Sequence, residues 1–192
     1  MTTTYDPQRL RSMISSLDSG TAHFDGPGGT QTPAAVADAI ADALRGPLSN
    51  RGRGTPAEIR ADDITVAARE AMADLLGADP RGIVFARSMT QVTFDIARTL
   101  AQGWGPGDEV VVTRLDHDAN VRPWVIAAER AGATIRWADF DPRTGELPAD
   151  AVLGLVGPTT RLVAVTGASN LIGTRPDIAA ITAGVRAAGA LS

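Results

Sequence analysis

The chain has 192 residues, of which 44% are hydrophobic and 21% charged, a composition of globular proteins with one domain or slightly more. Its formal net charge of -4 and its scattered arginines leave no basic stripe, so nucleic-acid binding is disfavoured. Cysteine is absent and only His23 and His117 supply imidazoles, which excludes disulfides, thiolate chemistry and a histidine-built metal centre within this sequence.

The N-terminal stretch has no apolar leader-like core, and no run approaches the ~18 apolar residues that cross a bilayer. A cytoplasmic protein with no membrane partner is expected. Residues 1–58 read as irregular, with one predicted helix from Pro33 to Arg45 in which Thr32 is the expected N-cap and Pro33 the first helical residue. Glycine-rich stretches flank it. From Ile59 to Leu76 the apolar residues Ile64, Ala68, Ala71, Met72, Leu75 and Leu76 follow helical spacing, and Gly77 is a natural stop. Beyond that point strands and helices alternate. Strands are predicted at 82–86 (GIVFA), 108–113, 133–140 and 161–166, and helices at 90–100, 121–131, 148–156 and 177–188. Such alternation predicts an α/β layer structure around a largely parallel sheet. The final Ala190-Leu191 reads as the opening of a further strand, so the sheet looks unfinished at that edge.

In open α/β sheets ligands bind outside the carboxyl ends of the strands. Three loops leave such ends here, and each is richer in polar groups than a connection needs. In 86–91 (ARSMTQ), Ser88 and Thr90 open a helix, where free backbone N–H groups and two hydroxyls can hold a phosphate, or simply cap the helix. In 114–120 (RLDHDAN), His117 lies between two aspartates, ahead of a helix capped by Asn120 or Asp118. Its ring can stack on a flat ligand or shuttle a proton, or it pairs with a neighbouring aspartate. In 166–174 (TGASNLIGT), the Asn170 amide can donate to an anionic oxygen or satisfy its own turn. No G-x-G-x-x-G follows the first strand and no Walker-type loop occurs, which argues against a dinucleotide domain.

Taken in order, Arg87-Ser-Met-Thr-Gln91, Asp116-His-Asp-Ala-Asn120 and Thr166-Gly-Ala-Ser-Asn-Leu-Ile-Gly-Thr174 resemble the motifs of class V aminotransferases and the cysteine desulfurases among them. Residues 24–33 (FDGPGGTQTP) resemble the family's entry segment, and Asn50-Arg51-Gly52 its H-R-G. The resemblance runs over nearly the whole chain. It implies the three-layer, mostly parallel sheet of the major domain of pyridoxal-phosphate-dependent transferases, here incomplete. Residues 1–58 would be a small-domain and substrate-entry segment, and 59–192 the first half of the cofactor-binding domain. It also implies pyridoxal 5'-phosphate as cofactor, a small amino acid as substrate and a homodimer. Ser88, Met89 and Thr90 would hold the phosphate, His117 would stack on the ring, and Asn170 would bond its phenolic oxygen. Gly28, Gly29, Thr30, Asn50 and Arg51 would form a substrate-side or interface loop.

The sequence also departs from that pattern. Met89, Gln91, Asp118 and Gly167 replace family residues, which leaves the substrate open. All 18 basic residues are arginine, so the Schiff-base lysine is absent and no catalytic residue of that kind can be assigned. The chain by itself is expected to be inactive, as the N-terminal half of such an enzyme. The alternative is a non-catalytic module that binds a phosphorylated ligand or a complementing C-terminal half.

Overall fold

The computed structural model describes residues 6–26 and 28–192. The chain divides into two compact units, one up to Val84 and one over Phe85–Ser192.

The first unit is helical. Helix α1 (Pro7–Arg11) is short, α2 spans Ala34–Arg45 and α3 spans Pro56–Leu76. The boundary of α2 corrects one expectation: Pro33 is the N-cap with no side-chain hydrogen bond, so Thr32 does not cap it. The other end of α2 is closed from outside. Arg60 donates to the carbonyls of Asp42 and Ala43 in the last turn and of Pro47 just beyond it, with the Asp42 carbonyl also accepting from Gly46 N–H. Helix α3 begins three residues ahead of the predicted Ile59, because Thr55 and Glu58 form a capping box and Pro56 fits the first turn. Gly77, at φ 61, ends it in the left-handed conformation that glycine adopts at little cost.

The second unit is built on a sheet. Strands β1 (Glu109–Thr113), β2 (Thr134–Ala138) and β3 (Thr160–Val163) are all parallel in the order β2-β1-β3. Helices α4 (Met89–Leu100) and α5 (Arg122–Ala131) cover one face, and α6 (Ala149–Leu153) and α7 (Ile178–Ala187) cover the other. The strand period of two explains the division. Val110 and Val112 pack with Ala97, Trp124 and Ala127, while Val111 packs with Val152, Ile181 and Val185. Each buried valine of β1 contributes about 1.5–3 kcal/mol of hydrophobic stabilisation. This three-layer parallel architecture is the fold class expected from the sequence, incomplete relative to the full-length fold. Leu191 also forms a parallel bridge to Leu162, donating to the Arg161 carbonyl and accepting from Val163 N–H, as the apolar pair at 190–191 predicts.

One predicted strand is not there. Residues 80–82 form a 3-10 turn capped by Asp79, and Val84 and Phe85 are more than half exposed. Apolar character makes a strand only where a neighbouring strand offers a hydrogen-bond ladder, and no described strand lies beside 82–86. The remaining predicted elements are present, with ends that match or differ by at most three residues, and with α4 and β3 each starting one residue earlier than predicted.

Candidate functional site

Because β1 and β3 run parallel, the loops that follow them emerge at the same rim of the sheet. There they line a common cleft of about 570 Å³, to which Arg114, His117, Phe140, Arg143, Asn170 and Ile172 contribute. The structure therefore brings His117 and Asn170 together. Ser88, Met89 and Thr90 are not among the residues lining it.

The loop at 114–120 is shaped by its own side chains. His117 Nδ1 accepts from the backbone N–H of Ala119 at 3.0 Å, so the imidazole caps the 3-10 turn Asp118–Asn120. With Nδ1 accepting, the proton of the neutral ring sits on Nε2. Asp118 pairs with Arg122 at 3.2 Å, and Val121 is the N-cap of α5 with no side-chain hydrogen bond, so neither Asp118 nor Asn120 caps that helix. The Asn120 amide serves another purpose: it donates to Asp116 at 2.8 Å and accepts from the Trp124 indole at 3.1 Å. Asp116 also accepts from the His117 N–H at 2.8 Å. Burial pushes the Asp116 carboxyl above the ordinary 3.8, partly offset by these two donors. Sequence reasoning missed the Asp116–Asn120–Trp124 chain, although its spacing of four and four is the signature of neighbours on a helical face.

The loop at 166–174 is a closed turn. Ser169 N–H donates to the Thr174 carbonyl at 2.8 Å, Gly173 N–H returns to the Ser169 carbonyl at 3.0 Å, and the buried Ser169 hydroxyl faces the N–H groups of Leu171 and Ile172 at 3.4 Å. Ser169, also missed from the sequence, satisfies the turn. Asn170 is thereby left exposed at the tip, its amide without a partner among the described residues. Thr166 closes on Ala168 at 2.7 Å, so the hydroxyl ahead of the turn is spent locally.

At the start of α4, Ser88 is the N-cap and its hydroxyl accepts from Gln91 N–H at 3.2 Å. The alternative of ordinary capping is thus realised for Ser88. Met89 and Thr90 follow in the exposed first turn, and α4 packs against the 118–120 turn.

The remaining candidates belong to the first unit. Gly28 and Gly29 donate to the Asp25 carbonyl in an exposed turn, next to Pro27, which lies outside the described residues. Thr30 and Asn50 are exposed, and Arg51 is held by Asp62 through contacts of 2.7 and 2.6 Å. Arg53 joins the same carboxylate at 2.7 Å. The Arg51 hydrogen bond, assisted by the charges of both arginines, holds Asp62 below the ordinary carboxylate value.

Three comparisons bear on what this fold and cleft belong to. An uncharacterised protein of Mycobacterium tuberculosis is 40% identical over 187 residues, covering 97% of this chain and 47% of that protein. A probable cysteine desulfurase of Mycolicibacterium paratuberculosis is 35% identical over 158 residues, covering 79% of this chain and 22% of that protein. Among solved structures, the cysteine desulfurase CsdA from Escherichia coli superposes with a TM-score of 0.83 at 27% identity, covering 98% of this chain and 48% of that one. The chain thus spans about half the length, or less, of the relatives it matches. The family model for aminotransferase class V matches residues 22–192, most of the sequence, and the chain belongs to the class-V aminotransferase family.

Proposed function

We propose that this chain carries part of the cofactor site of a desulfurase-like enzyme that acts on a small amino acid. The observation that carries the reading is the common cleft of His117 and Asn170 at the carboxyl ends of β1 and β3. Pyridoxal phosphate is the family's cofactor, and the groups present suit its non-covalent binding: a flat imidazole, an unpartnered amide and the exposed first turn of a helix. When bound, it supplies an electron sink for bonds at the α-carbon of an amino acid.

In this reading the His117 ring lies against the cofactor plane, its Nε2 proton free for the cleft because Nδ1 is tied to Ala119. Asn170 donates to the ring's oxygen, and the N–H groups of Met89 and Thr90, with the Thr90 hydroxyl, hold the phosphate at the α4 N-terminus. Ser88 acts on the phosphate site through the cap. Residues 1–58 supply the small-domain and substrate-entry segment, with Gly28, Gly29, Thr30, Asn50 and Arg51 on its substrate or dimer side, and 59–192 supply the first half of the major domain. This sequence holds no lysine, so in this reading attachment through a lysine, and with it turnover, requires residues from outside it.

Equilibrium dialysis against pyridoxal phosphate tests the reading. Wild-type protein is expected to bind saturably, with His117→Ala and Asn170→Ala each weakening the affinity about tenfold, the worth of one good contact. Unchanged affinity in both variants would refute it.

A second reading has its own observation. Beside β3 a cleft of about 510 Å³, lined by Ile96, Leu100, Trp124, Val165 and Ile178, lies next to the Leu162–Leu191 bridge. A complementing chain that adds a strand there would make this protein one half of a split enzyme. Coexpression with such a half is expected to yield yellow, soluble complex.

A further inference from the structure

Asn170 stands on a turn that is closed on itself, and a side wall of its cleft, residues 141–146, is closed on itself too. In that wall Gly145 N–H donates to the Asp141 carbonyl at 2.7 Å, Asp141 N–H donates to the Glu146 carbonyl at 2.8 Å, and Arg143 N–H meets Asp141 Oδ1 at 2.8 Å. Each turn therefore spends its hydrogen bonds internally. Between them runs one hydrogen bond: the Thr174 hydroxyl donates to the Gly145 carbonyl at 2.7 Å. The same point is tight for another reason. A Cβ on Gly145 would stand 3.0 Å from Ile172 Cδ1 and 3.3 Å from Thr174 Oγ1, and Gly145 has φ +75, where a side chain is strained. Two turns 29 residues apart in sequence are thus pressed together at a glycine and fastened by one hydroxyl.

We infer that Thr174 and Gly145 form a clasp that fixes the Asn170 turn against the 141–146 wall, making Thr174 a positioning residue for the Asn170 amide. The mechanical part stands on the two turns alone. Its effect on ligand binding rests on the proposed role of Asn170. Without the hydroxyl, the turn loses its tie to the 141–146 wall and opens more often, breaking the Ser169–Thr174 and Gly173–Ser169 bonds, so its amides exchange faster while the strands beneath stay protected.

Hydrogen-exchange mass spectrometry on the full chain reads the mechanical part, with peptides covering 167–174 and 109–113. Thr174→Val, which keeps the shape and removes the hydroxyl, is expected to speed exchange in 167–174 about fivefold to tenfold with no change in β1. Thr174→Ser is expected to restore the slow rate, and Gly145→Ala to reproduce the fast one. Unchanged exchange in Thr174→Val, or failure of Thr174→Ser to restore it, overturns the clasp. Dialysis with pyridoxal phosphate reads the functional part, where Thr174→Val is expected to weaken affinity about fivefold and Thr174→Ser to recover it. Should Asn170→Ala leave affinity unchanged while Thr174→Val still loosens the turn, the cofactor reading fails and the clasp survives.

Discussion

The two units of this chain are stabilised in different ways. In the second, Val110, Val111, Val112, Val152, Ile181 and Val185 are fully buried between sheet and helices. In the first, Ala73 alone is buried among the described residues, and the apolar stripe Val36, Ile40 and Leu44 along α2 is 47 to 65% exposed. What holds the first unit is polar: the Thr55–Glu58 capping box, the Arg60 bonds to the end of α2, and the grip of Asp62 on Arg51 and Arg53. The contrast teaches that amphipathic periodicity marks a helix in the sequence without saying what covers its apolar face, whereas a parallel strand exists only beside its neighbours.

Substitutions can break that comparison. Ile181→Ala, in the core beneath β1, is expected to cost about 2–5 kcal/mol. Thr55→Ala, which removes the α3 cap, is expected to cost about 1 kcal/mol. Ile40→Ala, on the exposed stripe, is expected to fall within about 0.5 kcal/mol. All three tryptophans, at 104, 124 and 137, lie in the second unit, so urea unfolding followed by fluorescence reports that unit, and helical circular dichroism adds the first. The ellipticity is expected to fall at lower urea than the fluorescence shifts. Coincident curves, or an Ile40→Ala effect as large as that of Ile181→Ala, would erase the distinction.

Acid titration sharpens it more gently. Asp108, bonded by Arg161 and by Gly105 N–H, and Asp62, bonded by Arg51, both have carboxyls held below the ordinary 3.8. A lowered folded value means the unfolded chain takes the proton first. The stabilisation is therefore full above the ordinary value and is lost as pH falls through the lowered one. Asp108→Asn is expected to destabilise the second unit at neutral pH, and Asp62→Asn the helical signal, with both differences vanishing in strong acid. Asp116 has the opposite sign: burial raises its value, so it costs stability as pH rises from 3.8 through the raised value.

Much of the second unit was legible because its signals are local. Strand runs such as 108–113 and helical runs such as 121–131 can be read without knowing their partners. The stretch at 82–86 was misread for the converse reason, since its apolar residues say nothing of whether a ladder lies beside them. In the site, His117 and Asn170 stood out as polar groups at strand ends. Ser169, Thr174 and the Asn120 bridge did not, because their roles are hydrogen bonds closed across turns, and a serine or threonine at such a place is equally at home facing water.

The central claim is that a flat phosphorylated ring binds between His117 and Asn170. Nuclear Overhauser transfer from the His117 ring protons to the methyl protons of pyridoxal phosphate, added to the 192-residue chain, tests it most directly. The account predicts a cross-peak that weakens severalfold in Asn170→Ala at equal, sub-saturating ligand concentration. Saturable binding with no transfer from His117 would contradict it.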